Sequence, residues 1–171
     1  ISHTVTPNAP EFQQALAIAG KSWQRHLEGL AQQQQPTEQV ADQAAKRFEE
    51  VIYAGFGRLP ERWSDVARDA ALDAARLRLS YTPRAARQVE DLLRAALAGA
   101  PTPTPKWGGN AQTLLVVAVA SQQGRQDDAS FLLEQAGSAS ADRLVAMLDN
   151  LQQLATSASP TIRKELATLQ L

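Results

Sequence analysis

Residues 110–137 read NAQTLLVVAVASQQGRQDDASFLLEQAG, and the fold turns on how this stretch is assigned. Seven consecutive apolar residues (Leu114, Leu115, Val116, Val117, Ala118, Val119 and Ala120) carry no period of their own. A short run of that kind fits a buried strand as well as a buried helix. Two features favour helix: Ala118 and Ala120 are good helix formers, and Ser121-Gln122-Gln123-Gly124 has the make-up of a last turn with a C-terminal Gly. The spacing predicts a helix over 111–123, apolar all round and therefore enclosed by neighbours. Gly124-Arg125 supplies a turn. Asp127 and Asp128 then fall in the first turn of a second helix, where unpaired N–H groups favour negative charge. That helix buries Ala129, Leu132, Leu133 and Ala136 at three-and-four spacing, and Gly137 is expected to close it.

Working outward, the same kind of unit recurs. Residues 1–8 (ISHTVTPN) are expected to form a loose arm. A helix over 10–33 follows, with Phe12, Leu16, Ala19, Trp23, Leu27 and Leu30 on one face. Pro36 ends it, because the residue before a proline resists helical geometry. A helix to about residue 54 carries Val40, Ala44, Phe48, Val51 and Ile52, completing a divergent hairpin over 9–57. GFGRLP (55–60) is a turn, and Pro60 suits the start of a third helix with Trp63, Val66, Ala67, Ala70, Ala71, Ala74, Leu77 and Tyr81 inward. Thr82-Pro83 breaks it. The fourth helix, 84–98, presents Ala85, Val89, Leu92, Leu93, Ala96 and Leu97. PTPTP and the following Lys106-Trp107-Gly108-Gly109 are expected to form an extended connector over 101–109. A domain boundary there is the rival reading. Beyond the central hairpin, Ser140 or Asp142 caps a helix with Leu144, Met147, Leu148, Leu151 and Leu154, and Pro160 opens a last helix with Ile162, Leu166 and Leu169.

The central hairpin resembles a tetratricopeptide repeat, a helix–turn–helix unit of about 34 residues. Gly124 stands at that family's turn, Ala129 and Ala136 at its small positions and Leu133 at its aromatic position. Val117, Thr113 and Ala141 depart from its Gly/Ala, Trp and Pro positions. Residues 70–103 form a second plausible unit, with Leu93, Ala96 and Pro101 in register. The resemblance covers residues 60–171. It implies an all-α chain, an α-α superhelix of about four antiparallel hairpins making one continuous domain. In that family the first helix of each unit lines a concave groove, where basic and Asn residues grip a peptide carboxylate. By this register Arg78 and Tyr81 would face the groove, joined by Gln122 from the central unit, whose other equivalent places hold Leu114, Ala118 and Ser121.

Composition agrees with an all-α chain: Ala, Leu, Gln and Arg dominate, with 5% aromatic residues. The 171 residues can bury a real core. A formal net charge of −1 gives no argument for nucleic acid or an anionic membrane. With no cysteine, disulfides and thiolate chemistry are excluded, and the compartment stays open. No apolar segment approaches the ~20 residues needed to cross a bilayer. The chain begins at Ile1, and its single Met is Met147, so a piece of a larger protein is expected.

Candidate chemistry is sparse. Gly20-Lys21-Ser22 ends like a phosphate-binding loop, but Ala15 stands where that motif needs Gly, and the residues lie within a helical stripe. His3 and His26 are too isolated for a metal or acid–base site. Adjacent acidic pairs (Glu49-Glu50, Glu90-Asp91, Asp127-Asp128) diverge by about 100° on a helix. Glu61, Asp65, Asp69 and Asp73 step along one helix among Arg62, Arg68, Arg76 and Arg78, as a salt-laced face would. The basic group Arg76, Arg78, Arg84, Arg87 and Arg94 is balanced by Asp73, Glu90 and Asp91. Trp107, flanked by Pro and Gly, is a candidate contact on the connector. The expectation is a non-catalytic protein–protein interaction or scaffold module binding a protein or peptide, without cofactor, metal, nucleic acid or membrane insertion. The alternative is a helical ligand-binding or regulatory domain attached to an enzyme.

Overall fold

Among the described residues, the helices with defined bounds follow in chain order as α1 (Pro10–Gln32), α2 (Glu38–Tyr53), α3 (Asp65–Tyr81), α4 (Ala86–Ala98), α5 (Pro105–Ala120) and α6 (Gln126–Ala139). The computed structural model describes residues 10–33, 37–54, 59–100, 105–139, 142, 145, 147–149 and 151–152. No strand occurs among them, so the chain is all-α. The expected arm at 1–8, the connector residues 101–104 and the final helix after Pro160 lie outside the described residues.

Consecutive helices pack on one another, with α2 against α3 the most extensive contact. In addition α1 touches α3, and α3 touches α5. No comparable contact joins α2 to α4 or α4 to α6 among the described residues.

Helix α3 explains this arrangement. Ala70, Ala74 and Leu77 pack into a core with Leu27 of α1 and Ala44, Phe48 and Val51 of α2. Leu72, Ala75 and Leu79, on the other side, belong to a second core with Val89 and Leu93 of α4 and the buried run of α5. Ala67 and Ala71 complete a third with Ile52, Trp63 and Ala96. Five alanines let helices approach on every side at little entropic cost, since Ala has no rotamers to lose. The single apolar stripe expected from sequence covers only part of this burial.

The central run is helical and enclosed: none of Leu114 to Ala120 exposes more than 5% of its surface. Methionine 147 and Leu151 close its remaining side. Gly124, at φ +77°, makes the turn to α6, a backbone region where a side chain would be strained.

Three element ends differ from expectation. Pro60 opens only a single 3-10 turn, Pro60–Arg62. Helix α3 itself starts at Asp65, capped by Ser64, whose hydroxyl accepts from the Ala67 N–H at 3.1 Å and donates to Gln13 of α1 at 2.8 Å. Helix α5 begins at Pro105, so residues 105–109 are helix and not connector. Helix α6 continues through Gly137 to Ala139 instead of stopping at that glycine.

Two close approaches use glycine. A methyl group on Gly99 would collide with the Pro60 backbone, and one on Gly20 with the Phe48 ring. The Gly20 of the Gly-Lys-Ser triplet is thus a helix contact: it is buried within α1, while Lys21 pairs with Asp73 of α3 at 2.7 Å.

Candidate functional site

Of the three residues expected in a common groove, Arg78 and Tyr81 lie one turn apart on α3, and Gln122 lies just past the end of α5. Arg78 is 7% exposed and turned toward α2. Its Nε and Nη2 donate to Glu49 Oε1 and Oε2 at 2.6 and 3.1 Å, and Nη1 donates to Asp42 at 3.3 Å. A guanidinium this buried must be paired, and a fork-to-fork match with a carboxylate is its strongest partner. The Glu49 hydrogen bonds, opposed by burial, raise the Arg78 pKa above its usual value. The guanidinium therefore clamps α3 to α2 and is not presented to a peptide. Tyr81 is half-buried against the α1–α2–α3 core. Gln122 donates to Glu90 of α4 at 2.8 Å and to the Ala118 carbonyl at 3.1 Å. Arg78 thus serves the α2–α3 junction and Gln122 the α4–α5 junction.

The second junction is organised by a residue that the sequence marked only as half of a diverging acidic pair and a counter-charge to the arginines. Glu90 is 2% exposed and receives Arg94 Nε at 2.9 Å, Gln122 at 2.8 Å, Arg125 Nη1 at 2.5 Å and, more distantly, Arg87 at 3.5 Å. Burial alone would push its acidity constant the other way, but hydrogen bonds from Gln122, Arg125 and Arg94 prevail and hold the pKa at about 2. The signal was present in the sequence. Glu90 lies four residues after Ala86 and three before Leu93, inside the buried stripe of α4, with Arg87 and Arg94 one turn away on either side.

The acidic series on α3 divides. Asp73 is held by Lys21 and by Arg76 at 3.8 Å, and Asp65 meets Arg68 at 3.4 Å. Among the described residues Asp69 has no ion pair within bonding distance; desolvation, with Asp73 and Asp65 nearby, raises its pKa. His26 lies edge-on to Trp23, at a ring separation of 6.3 Å. Trp107 is helical and half-buried, packing against two of the cores at once, so it anchors α5 rather than standing on an open connector. Among the described residues no group of acidic and His side chains is arranged to hold a metal, and no helix is long and apolar enough to cross a membrane.

One concavity combines apolar and polar walls. It measures about 590 Å³ and lies between α2, the Pro60 turn and the start of α4. Trp63, Leu92 and Ala95 supply apolar surface, and Tyr53, Arg84, Arg87, Gln88, Asp91 and Glu49 the polar walls. The Trp63 indole N–H is buried, with no hydrogen-bond acceptor among the described residues. Sequence analysis placed Trp63 in the core, which is correct for its ring, but an unmet donor leaves no trace in residue order. No known protein family, curated protein or solved structure matches the chain.

Proposed function

We propose that the chain is a non-catalytic interaction module, a superhelix of antiparallel helical hairpins similar to tetratricopeptide repeats, whose successive units offer an extended surface to a protein or peptide. The supporting observation is the order of helix contacts. Each helix packs on the next, and the first helices of successive pairs (α1, α3, α5) also touch, while the second helices do not make comparable contact. That is how stacked hairpins form an inner and an outer layer, each unit covering the apolar face of its neighbour. Arg78–Glu49 and Glu90–Arg125 fix successive junctions, which suits a scaffold that must hold its shape when loaded. The inner layer offers Asp69 and Arg76 of α3 and Ile18 of α1 as exposed contacts.

The test is photo-crosslinking in cells, with the crosslinker at Asp69 or Arg76 in one set and at Phe131 of α6 in another. A discrete crosslinked partner from the α3 positions supports the reading. A partner captured only from Phe131 moves the surface to the outer layer and removes the groove. No partner from any position contradicts an interaction role. A ligand-binding role is the second reading, favoured by the cavity beside Trp63.

A further inference from the structure

We propose that the cavity walled by Tyr53, Trp63, Arg84, Arg87 and Leu92 binds a small monocarboxylic acid with a flat apolar body, an aryl or arylalkyl acid. The inference deepens the ligand-binding reading and stands apart from the interaction role.

At about 590 Å³ the cavity is of the size that ligand sites show, roughly 300–1,000 Å³. Trp63 is 6% exposed and forms part of the cavity wall, so its indole resonance reports on what fills the cavity. Leu92, Ala95 and the Trp63 ring give the ligand an apolar bed. Tyr53, 66% exposed at the end of α2, provides a ring at the rim against which a flat body can stack.

The charges favour one negative group. Glu49 lines the cavity, but its carboxylate is already taken by both nitrogens of the Arg78 fork. Arg87 is held only at 3.5 Å by Glu90 and 3.6 Å by Asp91, and Glu90 is independently satisfied by Arg94, Gln122 and Arg125. Its guanidinium has donors to spare. Arg84 pairs with Glu38 where both are well exposed, and such pairs exchange readily. Arg84, Arg87 and Gln88 sit at the amino end of α4, where the helix dipole adds to the attraction. Asp91, exposed on the same wall, opposes a second negative charge and so disfavours phosphates and dicarboxylates.

The acid can be a free small molecule or the C-terminus of a peptide ending in an aromatic residue, and the two are separable. Isotope-labelled protein is titrated with phenylacetate, N-acetylphenylalanine, the neutral N-acetylphenylalanine amide and a tetrapeptide acid ending in Phe. The Trp63 indole N–H resonance is the readout, assigned by its loss in Trp63→Phe or, if that variant misfolds, by selective proximity to a ring-labelled ligand. The expected result is a saturable displacement of that resonance by the acids, with a dissociation constant on the order of 1 mM or below. The amide and the exposed-residue variant Arg87→Gln should each bind at least about fivefold more weakly, the ratio that ~1 kcal/mol commands. Tighter binding of the tetrapeptide than of the small acids assigns the site to a peptide terminus, and equal binding to a free acid. Failure of every acid to displace the resonance at about 10 mM, or equal binding of amide and acid, overturns the proposal. Either failure leaves the crosslinking test of the interaction role unaffected.

Discussion

Replacing Glu90 by Gln removes one charge from the centre of the α4–α5 junction while keeping its shape. The Glu90 carboxyl titrates at about 2 in the folded chain against 4.5 ordinarily. At about 1.4 kcal/mol for each tenfold change in acidity constant, that displacement corresponds to about 3 kcal/mol of stability at neutral pH. Glutamine keeps an oxygen for Arg125 but turns an NH2 toward Arg94 or Gln122, so part of the network survives. Exposure of Arg87 and Arg94 also screens their share. We expect a loss of about 2 kcal/mol, or about 4–8 °C in Tm for a chain of this length. Urea unfolding followed by far-UV circular dichroism measures it. The pH dependence is the sharper check. A folded pKa below the unfolded one means the contribution is complete above 4.5 and is lost as pH falls toward 2. The stability difference between wild type and Glu90→Gln should therefore fall by more than half between about pH 7 and about pH 3. A difference below about 0.5 kcal/mol, or one that does not change with pH, would refute the account of this junction.

Three further outcomes are expected. Arg78→Ala strips the partner from Glu49 and leaves a cavity between α2 and α3, and should cost about 3–5 kcal/mol in the same unfolding experiment. Gly99→Ala drives a methyl into the Pro60 backbone, which cannot yield as a side chain can, and should cost about 1–3 kcal/mol even though the local backbone suits Ala. Asp69→Asn has the opposite sign. Desolvation and then Asp73 and Asp65 raise the Asp69 pKa above 3.8, so its ionised form weakens the folded state as pH rises through the raised value. The Asn variant should be slightly more stable than wild type near neutrality, by thermal melting, with the gain vanishing below pH 3.8.

The helices were legible where an apolar stripe is buried as a stripe, as in α2, whose Ala44, Phe48, Val51 and Ile52 are buried as expected, and less so in α1, where Leu27 alone of the expected face is fully buried. They were also legible in the central run, where Ala118, Ala120 and the turn at 121–124 decided for helix over strand. Helix α3 was harder. Its alanines are apolar enough to mark one stripe, but nothing in their order says that Leu72 and Leu79 on the reverse side meet a second core. The start of α5 was hidden by composition. Pro105, Gly108 and Gly109 suggest loop by propensity, yet both glycines are buried and Trp107 binds the turn to two cores, so packing overrides local preference. The site residues were least legible. Arg78 was recognised as special for its position, but whether a guanidinium faces a groove or a neighbouring carboxylate depends on Glu49, 29 residues earlier. Glu90, read from sequence as half of an acidic pair, is instead buried between Ala86 and Leu93 in the stripe of α4. The unmet N–H of Trp63 depends on what surrounds it in space.

The central claim is that α5 is walled on several sides at once by successive helices of one stack. Methyl-to-methyl nuclear Overhauser contacts measure this directly. The Leu114, Leu115, Val116, Val117 and Val119 methyls should together report Leu72 or Leu79 of α3, Val89 or Leu93 of α4, Leu132 or Leu133 of α6, and Met147. Contacts confined to α6 alone, or extended-chain carbon shifts across the same five residues, would contradict it.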